Sequence, residues 1–221
     1  MICFQRPIGI HSRTRPCRRS SPTVVRRSAW HAKSFLPVEL MQEAAAQVTN
    51  AGLRAAADYF SAQTLRRRVT VVERARIPRM QATQWIYIID PEGGLELLGQ
   101  RVIEWAPDLS RHEKRDNVMR YVAFVPPGSI RRGREITVMG KANAIAGAGA
   151  GAACISCHGV HLQGIGSAPP LAGRSTTYLL RQLVAFQTKD RSGPDAALMQ
   201  AEVANLQLSD MIALAAYAAS R

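Results

Sequence analysis

Cys154-Ile155-Ser156-Cys157-His158 is the stretch from which the fold is read. Two thiols three positions apart, followed at once by an imidazole, form the pattern by which a haem is attached covalently to a chain. Each thiol adds to one vinyl group of the porphyrin, and the next residue then lies under the iron, where a neutral imidazole nitrogen ligates it. Half of a zinc site and a thioredoxin-like redox pair are the other readings of this spacing. Zinc wants a second Cys or His pair, and none follows at the right spacing. A redox pair wants a preceding strand, whereas Ala146 to Ala153 is a Gly/Ala run.

Downstream come Gly159, Gly164 and Gly166, then Ala168-Pro169-Pro170-Leu171-Ala172-Gly173, then helical periodicity from Ser175 to Phe186. The chain continues with Gly193-Pro194-Asp195-Ala196-Ala197-Leu198-Met199 and closes with Leu208 to Tyr217. These motifs resemble a class I cytochrome c, and within that class the cytochrome c4 and c553 group. The resemblance covers about the last eighty residues. It implies a mainly α domain holding one haem c and its iron. Cys154 and Cys157 would be the thioether anchors, His158 the proximal ligand and Met199 the distal one. The Pro169 carbonyl would accept the other ring N–H of the histidine and fix its tautomer.

The choice of methionine also follows from the residues themselves. Met211 belongs to the stripe Met211, Leu214, Ala215, Ala218, the spacing of a helix face turned to a core, and reads as packing. Met199 follows a Gly-Pro-Asp turn and precedes that helix, so its thioether is expected on a loop that reaches across a cofactor. An ordinary core filler is the other reading of Met199. His161, three residues from His158, is badly placed for the opposite face of a ring and is expected to be exposed.

The whole chain has 221 residues and a net charge of +13, of which residues 1–35 supply +8 with no acidic residue. That segment, broken by Pro7, Pro16 and Pro22, lacks an apolar period and reads as irregular or disordered. It lacks the continuous apolar core of a secretory signal. Nothing after it resembles a nucleic-acid-binding domain, so an arginine arm for nucleic acid is not expected. Cys3 and Cys17 show no ligand spacing and read as incidental thiols.

An internal repeat appears at a constant offset of 158: Leu40-Met41-Gln42 through Tyr59 aligns without a gap on Leu198-Met199-Gln200 through Tyr217. Residues 36–65 therefore read as the methionine segment and last helix of a first cytochrome domain that is truncated upstream, with Met41 a ligand without a haem. A plain amphipathic helix is the alternative. Between the repeats, residues 66–140 are rich in β-branched and aromatic residues at Val69–Val72, Trp85–Ile89, Leu95–Trp105 and Tyr121–Val125. Three to five short strands are expected there, with a hairpin at Asp90-Pro91-Glu92-Gly93-Gly94. Tyr121 to Gly133 resembles the lead-in to a second haem domain, and Lys141 to Ala153 reads as a flexible approach to Cys154.

The expected architecture is thus α+β: an irregular segment 1–35, a helical remnant 36–65, a β-rich linking unit 66–140, and a cytochrome c domain 141–221. No catalytic constellation is recognisable in the middle. Glu104, Asp108 and Glu113 read as scattered, and Arg131-Arg132 as solvated. With both axial positions taken, the resemblance implies a one-electron carrier and not an enzyme, working with redox partner proteins. Covalent haem implies the periplasm. No run is long enough to span a bilayer, so the protein is expected to be soluble or held peripherally through a partner complex. A cytochrome subunit held within a dehydrogenase complex and a zinc-binding module are the alternatives.

Overall fold

The computed structural model describes residues 38–62, 67–83, 86–144, 152–193 and 195–221. The basic segment with Cys3 and Cys17, Trp85, Pro194, most of the Gly/Ala approach, and the side chains of Leu40 and Met41 lie outside the described residues. The first described elements are helices α1 (Val38–Gln47) and α2 (Asn50–Ala62), where a single helix was expected. Thr49 divides them, its hydroxyl accepting from Gly52 N at 3.1 Å in the manner of an N-cap.

Among the described residues seven short strands follow: β1 (Val69–Glu73), β2 (Arg76–Pro78), β3 (Met80–Ala82), β4 (Tyr87–Ile89), β5 (Leu95–Leu97), β6 (Ile103–Trp105) and β7 (Tyr121–Val125). Five form a sheet in the order β1-β7-β6-β4-β3, and β2 pairs with β5 in a two-stranded ribbon. The expected hairpin across Asp90–Gly94 is absent, because β4 and β5 belong to different sheets. Arg79 explains the turn instead: its guanidinium holds Asp90 at 2.7 Å and Glu92 at 3.0 Å, and its backbone N–H donates to the Gly94 carbonyl.

The strands end at Val125, so the β-rich unit is shorter than the expected 66–140. Helix α3 (Leu109–Glu113) lies within it, started by Asp108 accepting from Arg111 N. Helix α4 (Ser129–Ala144) follows β7, with non-helical backbone at Gly140 (φ 75°, ψ 165°). The remaining helices are α5 (Cys154–His158), α6 (Thr176–Gln187), α7 (Ala196–Val203) and α8 (Leu208–Ala219). Helix α4 crosses α8 so closely that a Cβ on Gly133 would lie 2.6 Å from the Ala213 carbonyl carbon and 2.7 Å from Tyr217 Cβ. At the same crossing Arg132, expected to be solvated, pairs at 3.0 Å with the buried Asp210. That carboxylate also belongs to the capping box that starts α8.

Strand alternation decides how the sheet meets the helices. Val71 packs with Leu179, Ala215 and Ala218 of the helical core, whereas its neighbour Val72 joins Ile77, Leu98, Ile103 and Phe124 on the other face. On the helical face two carboxylates meet two helix N-termini. Glu73 Oε1 accepts from Ile130 N in α4 at 2.7 Å, and Glu104 Oε2 accepts from Thr176 N in α6 at 2.9 Å and from Ser175 Oγ at 3.0 Å. At the opposite pole of α8, Arg67 donates to the Ser220 carbonyl at 2.8 Å. Each charge complements the helix end it meets and satisfies groups that the helix leaves unpaired. Glu104 is therefore placed and not scattered.

Candidate haem-binding site

Helix α5 is little more than one turn, which brings residues three and four positions apart onto one side. Cys154, Cys157 and His158 are so related. Cys157 is exposed, and Cys154 is tucked against the cluster formed by Ile136, Val203, Leu206, Met211 and Leu214. Burial pushes the Cys154 thiol up to about 11, with the Glu202 carboxylate adding to the rise and a hydrogen bond from Thr137 opposing it.

His158 is 5% exposed. Its Nδ1 lies 2.8 Å from the Pro169 carbonyl oxygen. A carbonyl only accepts, so Nδ1 carries the hydrogen and Nε2 keeps its lone pair. Burial holds the imidazole below its ordinary pKa, against a smaller opposing pull from the Pro169 carbonyl, so the ring is neutral at neutral pH. The loop that delivers Pro169 is fixed locally. Gly164 N donates to His158 O at 2.8 Å, Leu171 N donates to Leu162 O at 2.8 Å, and Gly164 at φ 85° sits where a Cβ would meet Ala168 O and Pro170 N at 2.8 Å.

Met211 is buried in the core, as expected, in a helix that is buried on every side from Asp210 to Ala219. Met199 lies on helix α7, not on a loop. Asp195 precedes a run of Ala, Leu, Met, Gln and Glu, all strong helix formers, so the segment after the turn winds up at once. Its side chain is half-buried and packs against the same cluster as Cys154, alongside Leu180, Leu183, Val184 and Phe186 of α6. His161 is exposed.

The donor set suits a covalent haem. Two thiols and a neutral imidazole with a free Nε2 share one short helix. A thioether and that helix's first thiol pack against one apolar cluster, whose aliphatic and aromatic members suit a porphyrin face. No group of three or more His, Cys, Asp or Glu side chains placed to hold a metal ion occurs among the described residues, which gives the zinc alternative no support. Sequence reasoning missed Thr137 beside Cys154, and Gln187, Gln200 and Glu202 around α7. A lone polar residue carries no spacing signal.

Comparison with known proteins agrees with this chemistry. The family description "Cytochrome c" matches residues 144–220. The chain is 39% identical to cytochrome c-554(547) of Halothiobacillus neapolitanus, over 31% of this chain and 85% of the relative. It is 38% identical to cytochrome c-554(548) of Halomonas halodenitrificans, over 31% and 83% respectively. Among solved structures, thiosulfate dehydrogenase from Marichromatium purpuratum aligns with 90% of this chain and 30% of its own, at TM-score 0.50 and 24% identity, a likeness of fold alone. Cytochrome c4 from Acidithiobacillus ferrooxidans aligns over 83% of this chain and 72% of its own, at TM-score 0.49 and 22% identity. The coverage of the c-554 relatives settles the family: this chain belongs to the cytochromes c, electron carriers whose cofactor is covalently bound haem c with its iron.

Proposed function

We propose that this protein carries one electron at a haem anchored through Cys154 and Cys157 and ligated by His158 and Met199. The single observation that carries the reading is the hydrogen bond from His158 Nδ1 to the Pro169 carbonyl at 2.8 Å, which leaves the Nε2 lone pair of the neutral ring for an iron. Bound haem supplies an iron that cycles between the ferrous and ferric states. The chain's own residues do the rest. Pro169 fixes the tautomer and raises the basicity of the imidazole. Met199 supplies a thioether, which favours the reduced state over a second nitrogen ligand. Leu180, Leu183, Val184 and Phe186 keep water from the cluster that Met199 packs against. His158 and Met199 would hold the iron between them and leave no position for a substrate, which supports a carrier and not an enzyme.

In this reading the carrier works in the periplasm between a dehydrogenase or quinol-oxidising complex and a downstream oxidase or reductase. No helix among the described residues is long and apolar enough to cross a membrane. A second reading, a cytochrome subunit held within a dehydrogenase complex, is favoured by Leu95 and Leu97, 65% and 67% exposed on the two-stranded ribbon. Size exclusion in high salt separates the two: a subunit stays in a stable complex, whereas a carrier's encounters dissolve.

Residues 38–62 read as the counterpart of α7 and α8 in a first cytochrome c unit. Support comes from helix boundaries: α1 and α7 start at 38 and 196, α2 and α8 at 50 and 208, both pairs separated by the 158 residues of the sequence repeat. The experiment that tests the carrier reading is a potentiometric titration of haem-loaded protein. The wild type titrates as one single-electron centre, and Met199→Ala titrates at a lower potential with a ferric haem that binds added ligands. A potential unmoved by Met199→Ala would refute the proposed distal ligand.

A further inference from the structure

Helix α7 is short, its first residue has no side-chain cap, and it carries Met199. Its position is set by three tethers from outside. The most concentrated is Gln187, the last residue of α6, whose side-chain amide donates to the Leu206 carbonyl at 2.8 Å and the Val203 carbonyl at 3.0 Å, with the Ala204 carbonyl at 3.4 Å. Val203 and Ala204 close the C-terminal end of α7, where a helix leaves carbonyls without intrahelical donors, and Leu206 follows in the turn that returns its own N–H to the Val203 carbonyl at 3.0 Å; Val203 and Leu206 are buried residues. The second is Gln200, next to Met199, whose amide donates to the Arg191 carbonyl at 3.0 Å. The third is Glu202, which accepts from Ala152 N at 2.8 Å, just ahead of Cys154.

The loop that receives Gln200 is itself pinned to α6. Arg191 N donates to the Ala185 carbonyl at 2.9 Å, and its guanidinium donates to Gln182 Oε1 at 2.5 Å and lies 4.5 Å from the Phe186 ring centroid. From these contacts we infer that Gln187 is a positioning residue for the distal ligand: it closes the C-terminal end of α7 and so fixes how firmly Met199 presents its thioether. The inference rests on Met199 being that ligand. A thioether without charge is a weak ligand to ferric iron, so the free energy that keeps it in place comes largely from the scaffold that carries it. Loosening α7 therefore frees the coordination position to a competitor.

The test is imidazole titration of the ferric haem-loaded protein, followed through the far-red charge-transfer band of thioether-ligated iron, with haem content and melting temperature measured on each sample. Gln187→Ala leaves the Leu206 carbonyl without this donor and the Val203 carbonyl with Leu206 N alone, and is expected to bind imidazole about tenfold more tightly than wild type. Gln187→Glu sets a carboxylate against those carbonyls and is expected to exceed that. Gln200→Ala, which removes a lesser tether and covers the case of a Gln187 variant that does not load haem, is expected to shift binding about threefold. A lower melting temperature with imidazole affinity within about twofold of wild type in all three variants would make Gln187 a purely structural residue and overturn the inference. Met199→Ala separates the two levels: if the far-red band survives that substitution, Met199 is not the ligand and the underlying reading fails whatever the Gln187 variants do.

Discussion

Helices α2 and α8 occupy the same register of an internal repeat, yet α8 buries ten of its twelve residues and α2 buries none of its thirteen. The tyrosines make the contrast concrete: Tyr217 is 7% exposed and Tyr59, at the equivalent position, 63%. Both helices are capped at equivalent positions, α2 by Thr49 and α8 by Gln207. The burial of α8 comes from neighbours among the described residues. Helix α4 crosses it at Gly133, Arg132 pairs with its Asp210, and Val71 of β1 packs with Ala215 and Ala218. A helix's own sequence thus sets that it winds, and its neighbours set whether its apolar face stabilises anything.

The largest expected effect sharpens that contrast. Tyr217→Ala should destabilise the haem-loaded protein by roughly 3 kcal/mol in a denaturant melt, the usual cost of emptying a buried aromatic site. Gly133→Ala comes next. Its new Cβ meets backbone and not a flexible side-chain end, so α4 and α8 must separate, at about 2 kcal/mol in the same melt.

The paired thiols repeat the comparison at the scale of one turn, since Cys154 is partly covered by its neighbours and Cys157 is exposed. With its pKa raised to about 11, Cys154 stays protonated at pH 8, and its thiolate appears only as pH rises toward that value. In haem-free protein at pH 8, alkylation read by mass spectrometry should label Cys157 at least tenfold faster than Cys154, the gap narrowing as pH increases. Equal rates would mean that the cluster around Cys154 does not form without haem.

Glu104→Ala removes the carboxylate that starts α6 from across the sheet and is expected to cost about 1 kcal/mol, as loss of a helix N-cap does. Glu104→Gln, which keeps an acceptor but no charge, should recover part of it. Tyr59→Ala is expected to change stability by less than about 0.5 kcal/mol. A cost near that of Tyr217→Ala would break the comparison and show that α2 is covered by a partner in solution.

What was legible in the sequence follows the same division. The Cys154–His158 motif, the Met211 stripe and the helix beginning at Ser175 are local patterns: the motif forms one short helix, the stripe is buried, and a helix starts directly after Ser175. Strands β2 and β3 escaped notice because three residues give alternation nothing to repeat on, and Pro78 interrupts the run. Glu73 and Glu104 accept from helix residues 57 and 72 positions later, and no local pattern announces such a pairing. Met199 was expected on a loop because Gly193-Pro194-Asp195 is a turn signal, but that signal says only where the turn is. The alanines that follow decide that a helix resumes at once. The same limit applies to Gln187, whose partners Val203 and Leu206 are neighbours only after α7 has folded back onto α6.

The most direct test of the central claim, that Cys154 and Cys157 hold a haem ligated by His158, is a pyridine-haemochrome spectrum with intact mass on protein exported in a host with a haem-attachment system. The account predicts one covalently bound haem per chain, absent from the Cys154→Ala/Cys157→Ala variant. A wild-type chain that folds but emerges colourless, at the mass of the bare polypeptide, would contradict it.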